Sequence, residues 1–157
     1  MQTLIVYATK YGATRQIAES IAAEMGGAVL CDLSNGEAAL LAEYDCVIIG
    51  SPLMAGAVRK EVKAFAMAHV NELATKKLGI FLSGLQAEGL EEYLSNNFLA
   101  ELIDAAMAKA LLGGIYDPEK CGFFARLIMK AATKRTQYTS TIDAEKIKAF
   151  AWQLSNS

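Results

Sequence analysis

The chain has 157 residues, which is enough for one domain with its own hydrophobic core. Hydrophobic residues make up 54% of it, charged residues make up 20%, and only two residues are proline, which excludes an intrinsically disordered chain. The formal net charge is −2, whereas a nucleic-acid-binding protein needs a broad cationic surface. We therefore expect one globular domain, residues 1–157, that does not bind nucleic acid.

Apolar runs of strand length alternate with helical patterns along the chain. Strands are predicted, in chain order, over residues 3–8, 28–33, 44–50, 77–83 and 110–116. Helices are predicted through Ile17, Ile21 and Met25 up to Gly26-Gly27, then over 37–43, 59–70, 98–107 and 123–134. The last predicted helix runs from Asp143, which suits the N-cap or the first turn, through Leu154. This alternation predicts an α/β fold with right-handed crossovers: a doubly wound five-stranded parallel sheet with helices on both faces. By analogy with such sheets we expect the strand order 2-1-3-4-5.

The start of the chain and its longest apolar runs predict the location of the protein. The first apolar run begins at Thr3 with no basic leader or signal-type segment before it. No apolar run approaches the roughly 18 residues that span a bilayer. We therefore expect an intracellular, cytoplasmic protein.

The cysteines and the single histidine indicate little chemistry of their own. Cys31, Cys46 and Cys121 are odd in number and lack metal-type spacing, so we expect reduced packing residues. His69 is the only histidine, which argues against a His-rich metal site and a Ser-His-Asp triad. No metal site is expected.

Sheets of this type bind ligands at the carboxyl ends of their strands, near the point where the strand order reverses. The loop after the first strand, residues 9–14, offers threonine hydroxyls, a glycine and the amino end of a helix, which together suit a phosphate group. Neither G-x-x-x-x-G-K-[ST] nor G-x-G-x-x-G occurs there. A receiver domain would need a phosphorylatable Asp at the end of the third strand, which here ends Gly50-Ser51-Pro52. The residues therefore favour a monophosphate ligand.

These segments resemble the flavodoxin family over nearly the whole chain. Residues 9–14 (T-K-Y-G-A-T) are similar to the flavodoxin phosphate loop T-x-T-G-x-T, and residues 44–56 are similar to its third strand and flavin-contacting loop. Three further segments resemble the flavodoxin-like branch that contains menaquinone-dependent protoporphyrinogen oxidase: Gly113-Gly114, residues 124–130 and Thr141-Ile142-Asp143. The resemblance implies the flavodoxin-like fold and non-covalent binding of FMN.

The resemblance also assigns binding residues to three loops. It implies that the FMN phosphate is held by Thr9, Lys10, Tyr11, Gly12, Ala13 and Thr14. One side of the isoalloxazine would be lined by Ser51, Pro52, Leu53, Met54, Ala55 and Gly56. The pyrimidine edge would be bordered by Ser83, Gly84, Leu85 and Gln86. Gly56 would supply a peptide that reorients towards flavin N5, because glycine tolerates both conformations. No residue is assigned a catalytic role.

Two departures from ordinary flavodoxins affect the expected function. No aromatic residue lies between residues 45 and 64, so Tyr11 or Tyr116 would cover part of the flavin ring instead. A net charge of −2 also gives little steering towards a basic partner protein. Both features favour an oxidoreductase with an accessible flavin over a simple electron shuttle.

Three functions remain open. The first is an FMN oxidoreductase, for which the resemblance suggests protoporphyrinogen as substrate and menaquinone as acceptor. The second is a flavodoxin-type electron carrier that docks on a redox partner protein and has no substrate reaction of its own. The third is an interaction module that keeps the fold without the flavin.

The predicted helix over 123–134 has two interpretations. Arg126, Lys130 and Lys134 recur every four residues, opposite a set of apolar side chains: Phe123, Phe124, Leu127 and Ile128. In the first interpretation the apolar side packs on the core and the basic side is solvated. In the second the basic side meets anionic lipid, which would make the protein peripheral to the inner face of a membrane.

Overall fold

The computed structural model describes residues 1–36, 40–133 and 137–157. Its strands are β1 (Thr3–Tyr7), β2 (Val29–Asp32), β3 (Cys46–Pro52), β4 (Lys77–Ser83), β5 (Ala106–Leu111), β6 (Ile115–Tyr116) and β7 (Thr139–Ser140). Its helices are α1 (Ala13–Glu24), α2 (Lys60–Ala68), α3 (Val70–Leu73), α4 (Leu90–Asn97), α5 (Ala100–Ala105), α6 (Phe123–Thr133) and α7 (Ala144–Ser155), with short 3-10 helices at Leu33–Asn35 and Leu41–Glu43.

The main sheet has five parallel strands in the order β2-β1-β3-β4-β5, so the predicted α/β fold and strand order are confirmed. Every residue of β1 is buried, and so is almost every residue of β3 and β4. These three strands are covered by helices on both faces, which is why they are continuously apolar in the sequence.

The core consists of two clusters, one on each face of the sheet. Successive side chains of β1 alternate between them, since Leu4 belongs to one cluster and Ile5 to the other. Apolar residues from α2 to α5 complete the first cluster, and residues from α1 and α7 complete the second. The Asp143 carboxylate accepts hydrogen bonds from Glu145 N and Lys146 N (both 3.1 Å), which confirms the predicted N-cap of α7.

The predicted boundary between the fourth helix and the fifth strand is wrong. The sequence predicts a helix over 98–107 and a strand over 110–116, whereas α5 ends at Ala105 and β5 begins at Ala106. The buried residues Ala106 and Ala108 alternate with the exposed residues Met107 and Lys109, as expected for an edge strand. Ala, Met and Lys all favour helices locally, and pairing with β4 overrides that preference.

Two other elements differ from the prediction. Helix α4 occupies an interval for which the sequence predicts no helix or strand. Of the helix predicted over 37–43, the structure shows the 3-10 turn Leu41–Glu43, and residues 37–39 lie outside the described residues. Ile115 and Tyr116 pair antiparallel with β7 instead of extending β5. We call residues 115–140 the β6–β7 excursion; α6 lies within it.

No described helix is long and apolar enough to cross a membrane. Cys31, Cys46 and Cys121 have free thiols and are buried, the first two in β2 and β3.

Candidate cofactor-binding site

The first loop, between β1 and α1, is closed by hydrogen bonds to Thr9. The Ser34 hydroxyl accepts a hydrogen bond from Thr9 N (2.9 Å) and donates one to Thr9 O (3.1 Å). The Thr9 hydroxyl in turn accepts one from Gly12 N (3.0 Å). The loop is therefore held in a fixed shape by its own threonine and by a serine in the turn after β2.

Helix α1 begins directly after this loop and presents unsatisfied backbone donors. Its N-cap is Gly12, whose φ of 99° is easily reached only by glycine and which has no side chain to cap the helix. The first intrahelical bond runs from Gln16 N to Gly12 O (3.0 Å), so the N–H groups of Ala13, Thr14 and Arg15 have no acceptor within the helix. These donors and the positive end of the helix dipole suit an anion.

The hydroxyls of Thr14 and Ser83 link the first loop to the third. Both side chains are buried, and their oxygens lie 2.7 Å apart. One of the two protons forms that bond, which leaves the second available to another group. Neither hydroxyl has another hydrogen bond in the part of the chain that the structure describes.

Two lysines bring positive charge to the first loop. The Nζ of Lys10 lies 5.3 Å from the centroid of the Tyr11 ring. The Nζ of Lys120, from the β6–β7 excursion, lies 4.0 Å from the position that a Cβ on Gly12 would occupy. Sequence reasoning missed Lys120, because it is more than a hundred residues away along the chain and matches no motif.

The second loop, after β3, contains a tight turn with an unusual backbone conformation. Met54 N donates to Ala57 O (2.8 Å) and Ala57 N donates to Met54 O (3.1 Å). Between them, Ala55 and Gly56 both have positive φ, 52° and 81°. Ala55 is the only non-glycine residue with positive φ within residues 1–36, 40–133 and 137–157, which marks a strained position at the predicted flavin loop.

Two residues of α4 contact this turn, and neither was predicted from the sequence. The buried Asn97 side chain donates to Gly56 O (3.0 Å) and to Tyr93 O (2.8 Å), and it accepts a hydrogen bond from Val58 N (3.0 Å). The Tyr93 ring lies against Gly56, 3.7 Å from the position of an added Cβ. Tyr93 thus brings an aromatic ring to a loop that has none in its own sequence.

The third loop, after β4, passes close to the chain after β5. Gly84 N donates to Gly113 O (3.0 Å), and a Cβ on Gly114 would lie 2.7 Å from the Gly84 carbonyl carbon. This approach requires glycine at Gly114. The Gln86 Oε1 atom is buried and has no hydrogen-bond partner among the described residues.

The structure brings the three predicted loops to one edge of the sheet and connects them. Leu53 N donates to Ser83 O (2.8 Å), so the second and third loops are joined as the first and third are by Thr14. The Ser51 hydroxyl is turned to the protein, accepting from Arg59 N and donating to Pro52 O (both 2.9 Å). Tyr116, one of two tyrosines expected over the flavin, is buried in β6. The individual contacts with FMN stay predictions.

Open pockets lie beside the second loop and within the β6–β7 excursion. One, of about 320 Å³, borders the second loop and is lined by Met54, Ala57, Val58, Arg59 and Lys60. The other, of about 260 Å³, is lined by Tyr116, Phe123, Arg126, Leu127 and Lys130 of the β6–β7 excursion.

The residues present fit FMN at both of its polar ends. Three groups suit a phosphate dianion: the free N–H groups of α1, the second hydroxyl proton of the Thr14–Ser83 pair and the Lys120 ammonium. The unpartnered Gln86 Oε1 is an acceptor suited to a ring N–H such as that of the flavin pyrimidine. The described residues contain no cluster of side chains that would bind a metal ion.

Comparison with known proteins agrees with this description. The family model described as "Flavodoxin domain" matches residues 4–143. A comparison of the sequence with curated proteins finds no match.

Solved flavodoxins have the same fold. Oxidised flavodoxin 1 from Bacillus cereus is 18% identical, with a TM-score of 0.60 over 99% of this chain and 98% of that one. Two-electron reduced flavodoxin from Megasphaera elsdenii is 15% identical, with a TM-score of 0.63 over 99% and 100%. A WrbA-like flavodoxin from Agrobacterium tumefaciens is 19% identical, with a TM-score of 0.56 over 99% and 93%. At these identities the likeness shows the fold.

Proposed function

This chain belongs to the flavodoxin domain family, and from this premise we propose that it is an oxidoreductase that holds FMN non-covalently at the carboxyl ends of β1, β3 and β4. Family membership supports FMN as the cofactor. When bound, FMN supplies a ring that takes up electrons or a hydride and passes them on. The observation that carries the proposal is the uncapped start of α1 beside the buried Thr14–Ser83 pair, at the switch point of the sheet.

The protein's part is to bind the cofactor and to set its surroundings. The first loop would hold the phosphate through the backbone N–H groups that follow Gly12 and through Lys120. The turn at Ala55 and Gly56, held by Asn97, would lie along one side of the ring system. The backbone of the third loop and the Gln86 amide would border its polar edge.

The proposed substrate class is a small reduced molecule, with a quinone as acceptor. Protoporphyrinogen is the first substrate to assay. Three segments support it by their resemblance to the branch with menaquinone-dependent protoporphyrinogen oxidase: Gly113-Gly114, residues 124–130 and Thr141-Ile142-Asp143. The close approach of Gly114 to Gly84 gives Gly114 a structural role beside the third loop.

An electron carrier is the second candidate, and the composition of the three loops favours it. Residues 9–14, 51–56 and 83–86 contain no carboxylate and no histidine, so these loops lack the most common general acids and bases. A carrier needs none. Two assays separate these functions: anaerobic mixing of the reduced protein with a menaquinone analogue, and a steady-state assay with protoporphyrinogen. Turnover of the small substrate supports the enzyme. No turnover, together with fast electron exchange with a flavodoxin reductase, supports the carrier.

The first experiment is the visible spectrum of the purified protein, followed by titration of the apoprotein with FMN by fluorescence quenching. We expect flavin absorbance and saturable one-to-one binding. Thr14→Val keeps the shape of the side chain but removes its hydroxyl, and we expect about tenfold weaker FMN binding. A colourless protein with no measurable FMN affinity would contradict the proposal.

A further inference from the structure

Helix α6 turns four large apolar side chains away from the protein. The exposed fractions are 69% for Phe123, 78% for Phe124, 48% for Leu127 and 66% for Ile128. We call these four residues the α6 apolar face. On α1 and α7, by contrast, Ile17, Ile21, Ile147 and Phe150 are buried in the core, and Trp152 is a single exposed aromatic residue on α7. Of the two interpretations of this helix, packing of its apolar side on the core is therefore wrong.

The arrangement of residues around α6 is that of a helix lying at an interface. With 3.6 residues per turn, the α6 apolar face spans an arc of about 140°. Ala125 and Met129, on the other side, are half-buried against the rest of the protein. Arg126 and Lys130 stand at the border between the two, and the Arg126 Nε atom donates to Cys121 O (3.2 Å). Basic side chains beside an exposed apolar arc are typical of helices that lie in the headgroup region of a bilayer.

The positive charge of the chain around α6 indicates that this part of the protein contacts an anionic surface. Residues 120–142 contain five basic residues and no acidic one, in a chain whose formal net charge is −2. Among the helices of the described residues, α6 alone carries basic residues without an acidic residue. A basic segment of this kind is attracted to anionic lipid by about 1 kcal/mol per Lys or Arg near the surface.

We propose that α6 docks this protein on an anionic lipid bilayer, with the α6 apolar face inserted at the level of the headgroups and with Arg126 and Lys130 beside the lipid phosphates. The docking surface is next to the candidate site, because Lys120 of the same excursion reaches the start of α1. Docking would hold the loops after β1, β3 and β4 near the membrane surface, where lipid-dissolved molecules are concentrated. The proposal does not depend on the identity of the cofactor.

Flotation with vesicles tests this proposal directly. The purified full chain is mixed with vesicles of phosphatidylcholine alone, or of equal parts phosphatidylcholine and phosphatidylglycerol, and is then centrifuged through a density gradient. We expect the protein to float with the anionic vesicles and to float much less with the neutral ones. High salt should release part of it, because the electrostatic attraction is screened.

Substitutions distinguish insertion from charge attraction alone. Phe124→Gln with Ile128→Gln removes two apolar side chains and should lower vesicle binding by at least about tenfold. Lys130→Glu should lower it by about tenfold on anionic vesicles and leave binding to neutral vesicles unchanged. The matched control is Met67→Gln on α2, where another large apolar side chain is 57% exposed, and it should bind like the unsubstituted protein.

Three outcomes would overturn the proposal. One is failure of the unsubstituted protein to float with anionic vesicles. The second is equal flotation of the Phe124→Gln/Ile128→Gln variant, whose folding is checked by circular dichroism. The third is a dimer in analytical ultracentrifugation that the same double substitution dissolves, without vesicle binding, because the α6 apolar face would then be covered by a second copy of the chain.

Discussion

At the level of single residues, the loop between β1 and α1 is a predicted anion site that contains few charged side chains. Its donors are mainly backbone N–H groups, placed by the hydrogen bonds of Thr9 with Gly12 and Ser34. Sequence reasoning could predict this loop, because its residues are contiguous and follow a buried strand. It could not predict Lys120, Ser34 or Asn97, whose positions depend on how distant segments pack.

Lys120 should contribute to FMN binding through the phosphate alone. Lys120→Ala should weaken FMN binding by about threefold to tenfold, since it removes one exposed charge beside the first loop. Riboflavin, which lacks the phosphate, should bind the variant and the unsubstituted protein equally, and the salt dependence of FMN binding should become shallower. Fluorescence-quenching titrations with both flavins measure this. Lys63→Ala, at an exposed lysine of α2, is the control and should change neither affinity; an equal loss of riboflavin binding in Lys120→Ala would contradict the assignment.

Cys46 should make the stability of the protein depend on pH in the alkaline range. Burial raises the pKa of its thiol from 9.0 to about 11, although the Thr3 side chain opposes the shift. Between these values the folded protein keeps the proton and the unfolded chain loses it, so the unfolded state binds fewer protons and the free energy of unfolding falls as pH rises. Below pH 9 this contribution is fully present. Between pH 9 and 11 the free energy of unfolding, measured with denaturant, should fall by about 2 kcal/mol more in the unsubstituted protein than in Cys46→Ala. Identical pH dependences in the two proteins would show that the thiol titrates normally.

At the level of elements, the predictions succeeded where burial is continuous on both faces and failed at the edge of the sheet. The strands β1, β3 and β4 are apolar throughout, so their sequences have one interpretation. In β5, by contrast, Ala, Met and Lys are good helix formers, and the contact with β4 decides their conformation. The β6–β7 pairing was unpredictable for a similar reason, because each strand has only two residues and its partner lies more than twenty residues away.

Helix α4 should act on the site through Asn97. Asn97→Ala removes the bonds to Gly56 O and Val58 N and leaves both backbone groups without their partner, so we expect a loss of about 2–3 kcal/mol of stability. FMN binding should also weaken, because the turn at Ala55 and Gly56 loses its support. Denaturant unfolding and FMN titration measure the two effects.

Asn96→Ala is the matched control, since Asn96 is the neighbouring residue of α4 and is exposed. It should change stability by less than about 0.5 kcal/mol and leave FMN affinity unchanged. If Asn97→Ala lowered stability but left FMN affinity intact, Asn97 would be a packing residue with no influence on the site.

At the level of the whole molecule, the candidate site exists only when the sheet is assembled. Its three loops follow β1, β3 and β4, which are separated in sequence and adjacent in the sheet. The links between loops, Thr14 to Ser83 and Leu53 to Ser83, join segments 30 or more residues apart. An unfolded chain therefore presents no comparable set of donors, and FMN should bind the folded state alone.

This linkage predicts that FMN raises the melting temperature of the apoprotein. At a free FMN concentration about 100 times the Kd, a ligand that binds only the folded state adds about 2.7 kcal/mol of stability. For a domain of this size each kcal/mol raises Tm by about 2–4 °C, so we expect an increase of about 5–10 °C. Calorimetry of the apoprotein with FMN measures this, and riboflavin at the same concentration should give a smaller increase because the first loop then has no phosphate to hold. A Tm that does not change with FMN would mean that these loops do not form the binding site, whereas equal increases with FMN and riboflavin would mean that the ring is bound and that the first loop contributes nothing.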